Sequence, residues 1–149
     1  MGTWTTSATI EAPPEEVLAL LTDPGACARW SPIEFDLEEL DGRRLTAGSH
    51  ARVAGLLGGR RVSFDVDVLD ADARRLRLRA TGPVELDVEY CANELGCCSS
   101  EVTAIVSVTP RGGLRGRLLS SAADAVLAAG TLRTAVERIG REAELALAA

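Results

Sequence analysis

A chain of 149 residues, 46% hydrophobic and 26% charged, has the composition of a globular domain and falls outside the disordered class. One core suffices, because a domain of about 150 residues buries roughly 70% of the surface its unfolded chain exposes. All 16 basic residues are arginine, and against 22 acids they leave a net charge of -6, which repels a phosphate backbone and excludes nucleic acid as an expected partner.

The first residues, Met-Gly-Thr-Trp-Thr-Thr, carry neither a basic region nor an apolar run, and no later stretch reaches the ~20 apolar residues of a membrane span. A cytoplasmic protein is expected. Residues 4–11 alternate, with Trp4, Thr6, Ala8 and Ile10 on one face, the period of a half-buried strand. Pro13 and Pro14 followed by Glu15 and Glu16 predict a helix start, since proline fits the first turn and acids there oppose the helix dipole. Val17, Leu20 and Leu21 form its expected buried stripe, and Asp23-Pro24 ends it. A second short helix fits between Ala26 and Trp30 before Ser31-Pro32 breaks the pattern.

From Ile33 to Thr109 the chain reads as six strands. They are punctuated by turns at Asp41-Gly42, Gly58-Gly59, residues 70–72, Thr81-Gly82-Pro83 and residues 93–96. After Pro110-Arg111-Gly112-Gly113 the period becomes helical. Leu118, Ala122, Ala125, Ala129, Leu132, Val136, Ile139 and Ala143 recur at three- and four-residue steps, predicting one helix over about residues 114–145. Strand, two short helices, six strands and a long helix make an α+β chain, a seven-stranded curved antiparallel sheet around the C-terminal helix.

Strand parity sorts the candidate chemistry. The inward set is Val62, Phe64, Val66 and Val68, then Leu76, Leu78 and Ala80, then Val84, Leu86, Val88 and Tyr90, then Val102, Ala104, Val106 and Val108; only Tyr90 has a polar head. Arg75, Arg77 and Arg79 take the outward parity, as do Asp65, Asp67, Glu85, Asp87 and Glu89 on the flanking strands. This predicts a cross-strand charge ladder rather than an anion site. His50, the one histidine, falls at a strand end on the parity opposite Val53, which reads as solvated. There is no Gly-x-Ser-x-Gly elbow, and Gly55-Leu56-Leu57-Gly58-Gly59 lacks the Lys-Ser/Thr ending of a phosphate loop. Cys27, Cys91, Cys97 and Cys98 are expected as free thiols in a reducing compartment, with no metal and no cofactor; whether Cys91, Cys97 and Cys98 serve redox chemistry stays open.

The segments Ala8-Thr9-Ile10-Glu11-Ala12-Pro13-Pro14-Glu15-Glu16-Val17, Leu20-Leu21-Thr22-Asp23-Pro24 and Trp30-Ser31-Pro32 resemble the START-like (SRPBCC) superfamily, in its polyketide cyclase/dehydrase branch. So do Gly48 at a strand start, the strand from Phe64 to Leu69 and the glycine-rich approach to the last helix. The resemblance implies one helix-grip domain over residues 1–149, with an internal cavity for a hydrophobic molecule. Its members include cyclases, carriers and dehydratases, so three readings stand. The leading one is a carrier or sequestering module for a small hydrophobic, aromatic or polyketide-like molecule, acting as a monomer or homodimer. The second is an aromatase/cyclase or dehydratase using Tyr90 as its catalytic proton donor, and the third is a protein-interaction domain with a vestigial pocket.

The small residues Ala122, Ala125 and Ala129 on the helix face, with Gly130 beside them, predict open space against the sheet. The expected cavity is lined by these alanines with Phe64, Val66, Leu78, Leu86, Val88 and Val106; Trp30 and Phe35 border its mouth and Tyr90 is its polar anchor.

Overall fold

Alternating apolar and polar residues give the first strand one face to bury, and the prolines at 13 and 14 then turn the chain into a helix. The computed structural model describes residues 2–31, 35–40, 42–57 and 59–148. It places β1 at Gly2–Ile10, α1 at Pro14–Leu21 and α2 at Pro24–Trp30. Six strands follow: β2 (Phe35–Leu40), β3 (His50–Leu57), β4 (Arg60–Ala71), β5 (Arg75–Thr81), β6 (Val84–Glu94) and β7 (Ser100–Pro110). Two helices, α3 (Gly113–Ala128) and α4 (Thr131–Ala148), close the chain. Of the residues assigned above to strand starts, breaks and turns, Pro32, Ile33, Asp41 and Gly58 lie outside the described residues.

The strands form one antiparallel sheet in the order β1-β7-β6-β5-β4-β3-β2, so the first strand pairs with the last and the rest run as a meander. Irregularities between Leu37 and Glu39 and between Val68 and Asp70 locally increase twist and bend. The helices cover one face. Ile10, Val17, Leu21, Val136 and Ile139 are at most 2% exposed where α4 packs on β1 and α1 packs on α4, and each such side chain contributes about 1.5–3 kcal/mol. Leu18, rather than the half-buried Leu20, completes the buried stripe of α1. No helix among the described residues is long and apolar enough to cross a membrane.

The C-terminal helix departs from the expected single rod. It breaks at Ala129 and Gly130, where Gly130 takes φ +91°, a left-handed conformation that ends a helix and favours glycine. The Gly130 amide donates to the Leu127 carbonyl, while its own carbonyl accepts from Thr134 N at 3.0 Å and so starts α4. The break resets the helical phase. In α4 the expected residues Leu132, Val136, Ile139 and Ala143 are all buried. In α3 the buried face is one residue on, at Leu119 and Ala123, whereas Leu118 is 60% exposed and Ala125 and Ala129 face solvent.

The outer face carries the charge ladder. Arg75 meets Asp70 of β4 at 3.7 Å and Glu89 of β6 at 3.9 Å, Arg77 meets Asp70 at 4.0 Å, and Arg79 meets Asp87 at 3.0 Å and Glu85 at 3.4 Å. His50 joins the same face, its ring nitrogens 3.1 Å from Asp67 and 3.8 Å from Asp65.

Candidate functional site

Between the helices and the β3–β6 half of the sheet lies a cavity of about 330 Å³. Register builds its wall. Leu78 pairs with Val88 and Val88 with Val106, giving an apolar row across three strands, with Ala80 and Leu86 paired in the next row. Val62 and Phe64 of β4 and residues 53–56 of β3 extend it toward a rim marked by Leu56, 61% exposed. The helical wall is Ala123, Val126 and Leu127 of α3, Thr131, and Leu132 and Ala135 of α4.

At the inner end α2 delivers Trp30, which packs edge-on against Tyr90 with ring centroids 5.9 Å apart and an interplanar angle of 74°. Such aromatic pairs hold each other's orientation and add about 0.5–1.5 kcal/mol beyond their buried area. Both rings are buried, at 9% and 6% exposure, so Trp30 belongs to the floor of the cavity and not to its mouth. The correction follows from α2 lying against α1 and α4, which turns its last side chain inward; Arg138 of α4 fixes that end by donating to the Ser31 carbonyl at 3.0 Å.

Tyr90 has no hydrogen-bond partner for its hydroxyl among the described residues, and burial raises its pKa above the ordinary phenol value. It is therefore a neutral donor at physiological pH. Cys27 lies near it, donating its thiol to the Leu21 carbonyl at 3.4 Å. Burial first, and then the charge of Asp23, push that thiol up to about 12, which makes it a poor nucleophile. The Trp30 indole N–H favours the Cys27 thiolate slightly but forms no hydrogen bond of normal geometry.

Of the residues read from the sequence as lining the cavity, Trp30, Phe35, Phe64, Leu78, Leu86, Val88, Tyr90 and Val106 do line it. Val66 takes the concave parity between Ala51 and Ala80 but does not reach the wall, because alternation fixes a side chain's face and not where along a strand the helices stand away from it. Ala122, Ala125 and Ala129 are also outside it, since the break at Gly130 rotates α3 to present Ala123, Val126 and Leu127 instead. Adjacent leucines at 118 and 119 and alanines at 122 and 123 make two stripes one residue apart, so periodicity alone could not choose between them. Thr131 and Ala135 each precede by one residue a member of the α4 stripe read from the sequence, Leu132 and Val136, and went unread because that stripe was taken one residue wide. No group of three or more His, Cys, Asp or Glu side chains among the described residues is placed to hold a metal ion.

A family model described as polyketide cyclase / dehydrase and lipid transport matches residues 1–144. The chain belongs to this family. Among solved structures, this polyketide cyclase/dehydrase-family chain is similar to the Zhui aromatase/cyclase from Streptomyces sp. R1128, at 18% identity and TM-score 0.72 over 96% of this chain and 93% of that one. A START superfamily protein from Mycobacterium smegmatis matches at 17% identity and TM-score 0.67, over 94% and 97% of the two chains. DynU16, a protein in the dynemicin biosynthetic locus, matches at 24% identity and TM-score 0.60 over 95% of this chain and 47% of that one. These likenesses are of fold: a seven-stranded antiparallel sheet gripping C-terminal helices. No curated protein sequence matches the chain.

Proposed function

We propose that the protein binds a small, mainly apolar molecule in the cavity between α3, α4 and the sheet, as a cytoplasmic carrier or sequestering module. The supporting observation is the wall itself: about 330 Å³ of space lined by aliphatic and aromatic side chains with Ser31 and Thr131, Tyr90 being the one titratable group among the described lining residues. That volume is at the lower end of small-molecule sites, which suits a compact ligand of a few fused rings or a short acyl chain. A phenol that stays protonated and has no partner among the described residues donates to an acceptor on the ligand, so a carbonyl or quinone oxygen is the expected polar feature. The unpaired cysteines suit a reducing compartment.

The family name and the likeness to an aromatase/cyclase support the neighbouring reading, in which the cavity folds a polyketide-like chain. General acid–base chemistry needs groups that exchange protons near neutral pH, and Tyr90, pushed further from that range by burial, has no His, Asp, Glu or Arg beside it in the described wall. Binding is therefore the better-supported role.

The test is uptake of a hydrophobic fluorescent probe, joined to native mass spectrometry of protein purified from its source. Ala123→Trp, which fills the wall, is expected to abolish uptake, whereas Ala125→Trp on the outer side of α3 leaves it intact. Equal uptake by parent and Ala123→Trp would place the probe elsewhere and sink the cavity reading. Tyr90→Phe is expected to weaken retention of a carbonyl-bearing ligand about five- to tenfold, the worth of one hydrogen bond. If it leaves binding unchanged and removes turnover of an identified substrate, the enzyme reading replaces the carrier.

A further inference from the structure

The turn between β6 and β7 presents two adjacent thiols that the cavity does not use. Leu95 N donates to the Ser99 carbonyl at 3.0 Å, closing a short loop that carries Cys97 and Cys98 at its exposed tip. The Cys98 thiol donates to the Cys97 sulfur at 3.2 Å, so both sulfurs point the same way although neighbouring side chains in an extended segment diverge. The other two cysteines are poor competitors. Cys27, on α2, turns its thiol to the Leu21 carbonyl of α1, and Cys91 is half-buried with its thiol on Glu89 at 3.4 Å.

The separation selects the kind of atom the pair can share. With metal–sulfur bonds of about 2.3 Å, a tetrahedral centre holds its sulfurs about 3.8 Å apart, a linear two-coordinate ion about 4.6 Å, and a right-angled centre about 3.2 Å. Right angles between two soft ligands occur in square-planar and octahedral ions, which need further protein ligands, and in a trivalent atom with a lone pair, whose third position is taken by a carbon substituent. Two thiolates complete its valence, whereas a structural zinc needs four protein ligands.

We propose that Cys97 and Cys98 form a bidentate site for a singly substituted arsenic(III) species. In its hydrated form, R–As(OH)2, two As–O bonds break and two As–S bonds form. Each thiol proton leaves with one hydroxide as water, and arsenic stays trivalent, so no oxidant or reductant is consumed. The second thiol acts intramolecularly after the first, so its As–S bond forms at high effective concentration and multiplies retention.

The probe is phenylarsine oxide, added in equimolar amount to the full chain after reduction with a phosphine. Intact mass is read before and after challenge with excess 2-mercaptoethanol. One phenylarsenic per chain is expected to survive the monothiol and to be removed by dithiothreitol. Cys97→Ser and Cys98→Ser should each lower retention by at least about 100-fold, while Cys27→Ser and Cys91→Ser keep it. Both turn side chains are exposed, and circular dichroism verifies that the serine variants keep the fold. Retention by either turn variant equal to the parent, or loss from the parent as fast as from those variants, would overturn the proposal. Neither outcome bears on the cavity.

Discussion

Cys27 and Tyr90 show how burial, more than any neighbouring charge, sets the behaviour of a polar side chain in this protein. Both resist ionisation chiefly because the charged form would lose its hydration, and Cys27 is pushed from 9.0 to about 12. Linkage gives the sign. As pH rises above 9 the unfolded chain releases the Cys27 proton while the folded chain keeps it, so stability is full below that pH and falls as the solution approaches 12. Each such group contributes a slope of up to about 1.4 kcal/mol per pH unit, and Tyr90 adds its share above pH 10, where the unfolded phenol titrates. Urea midpoints followed by tryptophan fluorescence from pH 8 to 10.5 are expected to decline for the parent and more shallowly for Cys27→Ser. Parallel declines in the two proteins would refute this role for burial at residue 27.

At the scale of elements, the joint between α3 and the sheet rests on glycines of two different kinds. A Cβ at Gly130 meets nothing within 4 Å, so Gly130→Ala costs only the left-handed conformation, about 1–2 kcal/mol. A Cβ at Gly116 would run into the Arg111 carbonyl and come within 3.3 Å of the Pro83 carbonyl, both backbone atoms that cannot swing aside. Gly116→Ala is therefore expected to cost more than Gly130→Ala, about 2–3 kcal/mol, because the first turn of α3 must move away from the Arg111 backbone that leads into it. Thermal unfolding of the two variants checks the order, and an equal cost would mean that the Arg111 segment gives way without loss. The same helix marks how far the sequence could be read. All seven strands and the inward parity from Val62 to Val108 were legible, because a period of two leaves no choice of face once one side is apolar. The α4 stripe was legible too, from Leu132, Val136 and Ile139. The α3 face was not, since Leu118 and Leu119 serve either phase and the Gly130 break that decides between them depends on tertiary fit. Trp30 was legible as a cavity residue but not as its floor, because the direction of α2 is set by packing against α1 and α4 rather than by local pattern.

Across the whole molecule, the two faces of the sheet divide the labour. The outer face is satisfied within itself by Arg75, Arg77 and Arg79 and their carboxylates, solvent-screened pairs that fix register more than they stabilise. The inner face is closed firmly by α4 and loosely by α3. Three large side chains of α4, Leu132, Val136 and Ile139, are buried, whereas Leu119 is the one leucine buried on α3 and Leu114 and Leu118 stand exposed at 74% and 60%. Positive φ at Gly112, Gly113 and Gly130 brackets α3 with the joints about which it can move as a unit. Such an element opens at lower free energy than the sheet, and a ligand held against Ala123, Val126 and Leu127 is lost when it opens. Binding should therefore raise the opening free energy of α3 by the full linkage amount, about 2.7 kcal/mol at a free ligand concentration 100 times Kd. Hydrogen exchange read by mass spectrometry is expected to show the backbone amides of residues 117–128 exchanging well before those of α4 and β7 in the free protein. In the complex they should slow about 100-fold. If α3 is as protected as α4 without ligand, or if a ligand seen in the native mass leaves its exchange unchanged, α3 is a fixed wall and the cavity must fill from another side.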